Sequence, residues 1–290
     1  MSTFDPPLLA VREAVSRALA EDMLPLGDLT AALVPAGATA RASFVTREEG
    51  MVAGSLCVRE TLAQLNPALG LEWRAGDGTA VEAGALLGTV EGCLASILTA
   101  ERTALNFLCH LSGVATLTSR FVKAAGKAKI LDTRKTLPGL RALEKAAVRA
   151  GGGRNHRGSL SEMVLVKDNH LAVIGITDAV QHALSMWPGR AVEVECDRPD
   201  QVDEALEAGA TMVLLDNMSP EAVASCVKLV AGRIPVEVSG GVTLDTVGAY
   251  ADAGADLIST SAITQSAPAL DIGLDVDIDP DRDLTPTSLG

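Results

Sequence analysis

From Gly126 onward the chain runs through one cycle six times: a short apolar run, a polar tail, then an amphipathic helix. The apolar runs are Ala128–Leu131, Met163–Val166, Ala191–Val194, Thr211–Leu215, Pro235–Val238 and Asp256–Ile258. Near-continuous apolar strands that alternate with helices predict a parallel sheet covered by those helices. Two joints repeat a phrase, Ala208-Gly209-Ala210 before Met212-Val213-Leu214-Leu215 and Ala253-Gly254-Ala255 before Leu257-Ile258. In each, the glycine suits the left-handed residue that ends a helix. Ser219-Pro220-Glu221 marks a helix start, with an N-cap, a first-turn proline and a first-turn acid. Six cycles within roughly 145 residues are too compact for an eight-fold barrel of about 250. A smaller barrel and a doubly wound sheet both satisfy the pattern.

With 290 residues in all, the remainder leaves room for a second domain. Apolar positions Leu8, Val11, Val15 and Leu19 recur at helical spacing between Pro6 and Met23 and predict a surface helix. Between Thr39 and Val90, short Val, Ala and Leu stretches are broken by Glu49-Gly50, Asn66-Pro67, Gly76-Asp77-Gly78 and Gly84. That segment reads as strands and turns with one helix near Glu60–Leu65. Ser96 to Ala125 reads as helix with Leu98, Leu105, Leu108 and Leu111 along one side and a break at Ser112-Gly113. At the far end Leu270, Ile272, Leu274, Val276 and Ile278 alternate strictly with Asp and Gly. Period two predicts a half-buried strand, and because this differs from the barrel strands it is expected to pack with the first domain.

Composition narrows the function. The net charge is −13 and aromatics are only 2%, a poor match to nucleic acid. No secretory signal opens the chain, and no apolar run approaches the roughly 18–20 residues of a spanning helix. Five scattered cysteines without a C-x-x-C pair fit a reducing, cytoplasmic setting. Four histidines without metal-ligand spacing make a zinc site improbable.

In parallel α/β folds, chemistry gathers past the carboxyl ends of the strands. Those positions hold Asp132-Thr133-Arg134-Lys135-Thr136, Lys167-Asp168-Asn169-His170, Glu193, Glu195 and Asp197, Asp216-Asn217, Ser239-Gly240-Gly241, and Ser259-Thr260-Ser261. Between the first two strands lies Gly151-Gly152-Gly153-Arg154-Asn155-His156-Arg157. Taken singly, glycines read as flexible loop and lysines as solvated surface. Their convergence says more. Residues 131–170 carry eight Lys and Arg against four acids, a local +4 that leaves −17 for the rest. Over a Debye length of about 8 Å the local sign governs capture of a charged ligand. Strand-end cations, carboxylates and a glycine-rich turn together describe a pocket for a polyanion with a divalent metal.

The run Asp132 to Gly139, the Gly151-Gly152-Gly153 loop with His156-Arg157, and Lys167-Asp168-Asn169-His170 resemble the quinolinate phosphoribosyltransferase family. Glu21-Asp22, Gly27-Asp28-Leu29-Thr30, Glu101 to Phe107, Leu111-Ser112-Gly113, Val194 to Asp197, Leu215-Asp216-Asn217 and Val238 to Gly241 extend the likeness in order over about residues 20–275. The resemblance implies an N-terminal α/β sandwich domain, residues 1–114, followed by an incomplete parallel α/β barrel of the type II phosphoribosyltransferase kind, residues 115–267, with the 268–290 segment returning to the first domain. It implies a pentosyltransferase of NAD biosynthesis that joins quinolinate to phosphoribosyl pyrophosphate with Mg²⁺, giving nicotinate mononucleotide, pyrophosphate and CO₂. A homodimer or a larger assembly of dimers is implied as well.

Carried over by residue, the resemblance implies that Arg134, His156, Arg157 and Lys167 form the quinolinate pocket, that Thr133 binds substrate, and that Lys135 lies between quinolinate and the sugar phosphate donor. Arg102 reaches the neighbouring subunit's site. Glu195 and Asp216 hold the metal, in company with substrate, and the ribose hydroxyls; with Lys135 they are the expected catalytic residues. Ser239, Gly240, Gly241, Ser259, Thr260 and Ser261 bind the 5-phosphate. Three other functions compete with this one: that of a relative from molybdenum transport operons, against which the intact Lys167-Asp168-Asn169-His170 argues; a Schiff-base aldolase using Lys135 or Lys167; and a binding protein without turnover.

Overall fold

The structure, a computed structural model, describes residues 4–277. In chain order the elements are α1 (Leu8–Met23), a 3₁₀ turn (Ala31–Leu33), β1 (Thr39–Thr46), β2 (Gly50–Met51), α2 (Ser55–Leu65), β3 (Gly70–Trp73), β4 (Ala80–Val81), β5 (Leu86–Cys93) and α3 (Leu94–Ala125). There follow β6 (Lys129–Leu131), α4 (Arg141–Ala150), β7 (Val164–Val166), α5 (Asp168–Leu171), α6 (Ile176–Met186), β8 (Val192–Cys196) and α7 (Pro199–Ala208). The chain ends through β9 (Met212–Asp216), α8 (Pro220–Val230), β10 (Val236–Ser239), α9 (Val247–Asp252), β11 (Leu257–Ser259), α10 (Ala262–Gln265) and β12 (Ile272–Asp277).

One compact unit takes the chain up to Leu117, Pro138–Gly151 and the chain from Ala267 on. The grouping is therefore not a single cut of the sequence: α4 joins this unit, where Arg149 donates to Phe4 O at 3.3 Å and Asp5 O at 3.2 Å. Its main sheet is antiparallel in the order β12-β1-β5-β3. The alternating C-terminal segment is the edge strand, with Leu274 opposite Phe44 and Ile272 opposite Thr46. Ile278, Asp279 and the Pro280–Gly290 tail lie outside the described residues. Phe44, Leu87, Ile97 and Leu108 fill the core, and Phe44 meets Trp73 edge-on with ring centroids 5.5 Å apart. Burying each such side chain contributes about 1.5–3 kcal/mol.

Helix α3 corrects two expectations. It runs unbroken through Ser112-Gly113, and Leu98 is exposed while Leu105, Leu108 and Leu111 are buried. Packing overrides the weak local propensity of Ser and Gly. Ser112 Oγ accepts from Ala53 N at 3.0 Å and donates to Ala53 O at 3.1 Å, pinning a neighbouring segment to the helix. Gly113 is there for close approach, since a Cβ would overlap the Pro268 carbonyl and sit 2.9 Å from Ala269 Cα. Gly113→Ala is expected to lower stability by about 1–3 kcal/mol through overpacking. Thermal unfolding checks this, and a Tm unchanged within about a degree contradicts the close fit.

The second unit, Thr118–Leu137 with Gly152–Ser266, holds the six parallel strands. Their order is β6-β11-β10-β9-β8-β7. From β7 to β11 each new strand adds on the same side, with no reversal, and β6 follows β11. This winding decides between the two sheets that the sequence leaves open, because a doubly wound sheet reverses at a switch point. The unit is an incomplete barrel, with β6 and β7 at its two edges. On the free side of β6 the glycine-loop strand attaches briefly, Arg154 N donating to Ile130 O at 2.8 Å and Asp132 N to Arg154 O at 3.3 Å. The repeated glycines act as expected. Gly209 caps α7 at φ 90° and Gly254 follows α9 at φ 97°. Ser219 Oγ accepts from Ala222 N to cap α8.

Candidate active site

At the carboxyl ends of the barrel strands lies a cavity of about 490 Å³. Its wall brings together Thr133, Arg134, Lys135, His156, Arg157, Lys167, Glu195, Asp216, Ser239, Gly240, Gly241 and Ser259. Three expected site residues stand apart from that wall. Arg102 is on α3 in the first unit, exposed beside Glu101. Thr260 is buried and turns its hydroxyl to Val242 O at 3.1 Å, while Ser261 precedes α10 as its N-cap residue.

The tail of β6 is shaped by short local bonds. Lys135 N donates to Thr133 Oγ1 at 3.0 Å, and Lys135 O accepts from Thr264 at 2.7 Å, which holds the basic Arg134-Lys135 pair on a fixed turn. Asp132, fully buried, accepts from His156 N at 2.9 Å and Asn155 Nδ2 at 2.5 Å. One carboxylate therefore ties the β6 tail to the glycine-rich loop. Across the cavity Lys167 and Glu195 form a tight ion pair.

Under the cations sits an acid cluster. Glu193 on β8 and Glu237 on β10 are both fully buried, and His156 Nε2 donates to Glu193 at 3.0 Å with Glu237 3.5 Å away. Burial opposes charging of His156, but the Glu193 hydrogen bond and the Glu237 and Glu193 charges together raise its pKa. Nδ1 already accepts the Arg157 N–H at 2.8 Å, so a second proton would break that bond. Both ring nitrogens thus face protein atoms, and the ring serves the cavity by holding Arg157. Burial and the neighbouring Arg134 charge lower the Arg157 pKa. Glu193 Oε1 and both Glu237 oxygens lack a hydrogen bond of ordinary geometry, although the Ser259 hydroxyl is close enough to favour the Glu237 carboxylate. The ligating atoms of His156, Glu193 and Glu237 lie within 4.8 Å of one another. His156 Nε2 stands between the two acids, 3.0 Å from Glu193 and 3.5 Å from Glu237.

Glu237 is the wall residue that strand-end reasoning passes over, because it lies within an apolar run and not after it. A signal did exist: Val192-Glu193-Val194 and Val236-Glu237-Val238 place one acid in the same phrase on two strands. Asp132 and Asn217 also line the cavity.

One stretch of the wall, Gly240-Gly241, is bare backbone. Gly240 and Gly241 have φ of 95° and 60°, a left-handed pair whose N–H groups suit an anion. A Cβ on Gly240 would be 2.7 Å from Asn217 N, so glycine is required there.

Residues 28–112 match the description "Quinolinate phosphoribosyl transferase, N-terminal domain" and residues 114–275 match its C-terminal domain. The chain belongs to the quinolinate phosphoribosyltransferase family. Among relatives of this quinolinate phosphoribosyltransferase family member, a nicotinate-nucleotide pyrophosphorylase [carboxylating] of Mycobacterium leprae is 42% identical, over 92% of this chain and 97% of the relative. A mitochondrial quinolinate phosphoribosyltransferase [decarboxylating] of Nicotiana glauca is 38% identical over 93% and 83%. The solved nicotinate-nucleotide pyrophosphorylase of Francisella tularensis superposes with a TM-score of 0.91 at 40% identity, covering 96% of this chain and 99% of that one. Among the described residues no helix is long and apolar enough to cross a membrane.

Proposed function

We propose that this family member transfers the phosphoribosyl group of phosphoribosyl pyrophosphate to quinolinate and releases pyrophosphate and CO₂, leaving nicotinate mononucleotide for NAD synthesis. One observation carries the reading: a single cavity collects Arg134, Lys135, Arg157 and Lys167 with Glu195, Asp216 and the Gly240-Gly241 turn. Arg134 and Arg157 clamp the quinolinate carboxylates, so the ring nitrogen needs placement and no strong base. Lys167 adds a further cation to the quinolinate pocket, and Lys135 sits between the two substrates. As pyrophosphate departs, positive charge develops on the ribose, and Glu195 and Asp216 are the carboxylates that stabilise it. Bonding of the ring nitrogen to the sugar makes that nitrogen cationic. The C2–carboxylate bond then breaks to give CO₂, its electron pair stays on C2, and C2 takes a proton.

Glu195 and Asp216 are hard oxygen donors on one cavity wall, a donor set that fits Mg²⁺ held partly by substrate phosphates. Mg²⁺ there would offset the charge of the leaving pyrophosphate. Excess EDTA is expected to abolish turnover and added Mg²⁺ to restore it; turnover in EDTA contradicts the metal requirement. Formation of nicotinate mononucleotide, followed by chromatography, tests the reaction itself.

The active unit is a homodimer, in a cytoplasmic setting that five free cysteines support. Leu24, Leu26, Leu29 and Leu33 are each at least 66% exposed within ten residues, an apolar stretch suited to a second copy. Arg102 reaches the partner's site. Mixing inactive Arg102→Ala with inactive Glu195→Ala protomers should restore activity, about a quarter of the wild-type level if subunits pair at random and one of two sites in each mixed dimer is intact. No recovery after verified subunit exchange contradicts action across the interface.

A further inference from the structure

We propose that Asn217 is a positioning residue that locks the Asp216 carboxylate to the Gly240 turn, so that the ribose and 5-phosphate ends of phosphoribosyl pyrophosphate meet one preset geometry. This rests on the phosphoribosyl-transfer reading above and names the residue that joins two of its subsites.

Asn217 occupies a left-handed conformation at φ 55°, which among non-glycine residues Asn tolerates best. From there Nδ2 donates to Asp216 Oδ2 at 2.5 Å, and the backbone N–H donates to Ser239 O at 3.1 Å. The first bond fixes one oxygen of the Asp216 carboxylate, a residue of the cavity wall. The second ties the end of β9 to the end of β10. Gly240 then packs so closely that a Cβ would lie 2.7 Å from both Asn217 N and Asn217 Cγ. Beyond Asn217 the turn is held again, by Tyr250 Oη donating to Met218 O at 3.1 Å and by the Ser219 cap on α8. A strained residue held from both sides, with its amide on a cavity carboxylate and its backbone under the glycine cradle, is where strain serves geometry.

The same conformation supplies a clean test. Glycine adopts φ near 55° freely, so Asn217→Gly keeps the turn and deletes the amide. Asn217→Asp keeps a side chain that also tolerates this region, but replaces the donor with a charge beside Asp216. Steady-state kinetics, calorimetric titration with phosphoribosyl pyrophosphate and Mg²⁺, and thermal unfolding are measured on each full-length variant. For Asn217→Gly the affinity for phosphoribosyl pyrophosphate should fall about 10- to 100-fold, the effect of one hydrogen bond to a charged group. The KM for quinolinate should stay within about twofold and the Tm within about 3 °C, which a purely structural residue would not allow. Asn217→Asp should bind phosphoribosyl pyrophosphate more weakly still, and it reads the same split if the glycine variant does not fold. Unchanged affinity in both variants, or equal losses for both substrates with a large Tm drop, overturns the role of Asn217 while wild-type turnover keeps the transfer reading intact. A wild-type protein that neither binds nor turns over phosphoribosyl pyrophosphate overturns that reading, and this role with it.

Discussion

Arg134→Ala should lower kcat/KM for quinolinate by about 10²–10⁴-fold, the loss of two charge-assisted hydrogen bonds at roughly 1.5–3 kcal/mol each. Arg134 lines the cavity from the tail of β6, on a turn fixed by Thr133 and Thr264. It does not belong to the apolar core, so the Tm should move by no more than about 3 °C. Arg134→Lys keeps the charge but not the planar fork, and should recover only part of the loss. Steady-state kinetics with quinolinate varied, alongside thermal unfolding, separate the two effects. Wild-type kcat/KM in Arg134→Ala removes Arg134 from the substrate clamp.

A second large effect concerns pH. Burial first, then the Glu193 charge, pushes the Glu237 carboxyl from 4.5 up to about 7. Below about pH 4.5 the carboxyl is protonated in both the folded and the unfolded chain, and no penalty arises. Between there and about pH 7 the unfolded chain gives up the proton while the folded chain keeps it, so stability falls as pH rises. Above that window the cost levels off at about 3 kcal/mol. Glu237→Gln stays neutral throughout. Relative to wild type, its Tm should therefore improve from pH 5 to pH 8, by about 5–10 °C for a chain of this size. Scanning calorimetry at both pH values measures the difference. Parallel stability curves for the two proteins contradict a raised Glu237 pKa.

The barrel was legible because its strands are buried on both faces and write themselves as apolar runs. All six, and the glycines that end α7 and follow α9, lie where the pattern puts them. Which of two parallel sheets they build was not legible, since strand order depends on pairing between distant segments. Ser112-Gly113 misled for a related reason: a glycine that permits contact with Pro268 looks locally like one that breaks a helix. At the site, strand-end logic finds charged tails but passes over acids that point inward from within a strand, as Glu237 does. Neither does composition show that Asn217 takes φ 55°, which requires the packing of Gly240 against it.

In the proposed reaction the cavity couples sugar transfer to loss of a carboxylate. Quinolinate carrying a radiolabel in the carboxylate next to the ring nitrogen tests it directly. Labelled CO₂ should appear only when phosphoribosyl pyrophosphate and Mg²⁺ are both present, mole for mole with pyrophosphate. Release without phosphoribosyl pyrophosphate, or none with the complete mixture, contradicts the account.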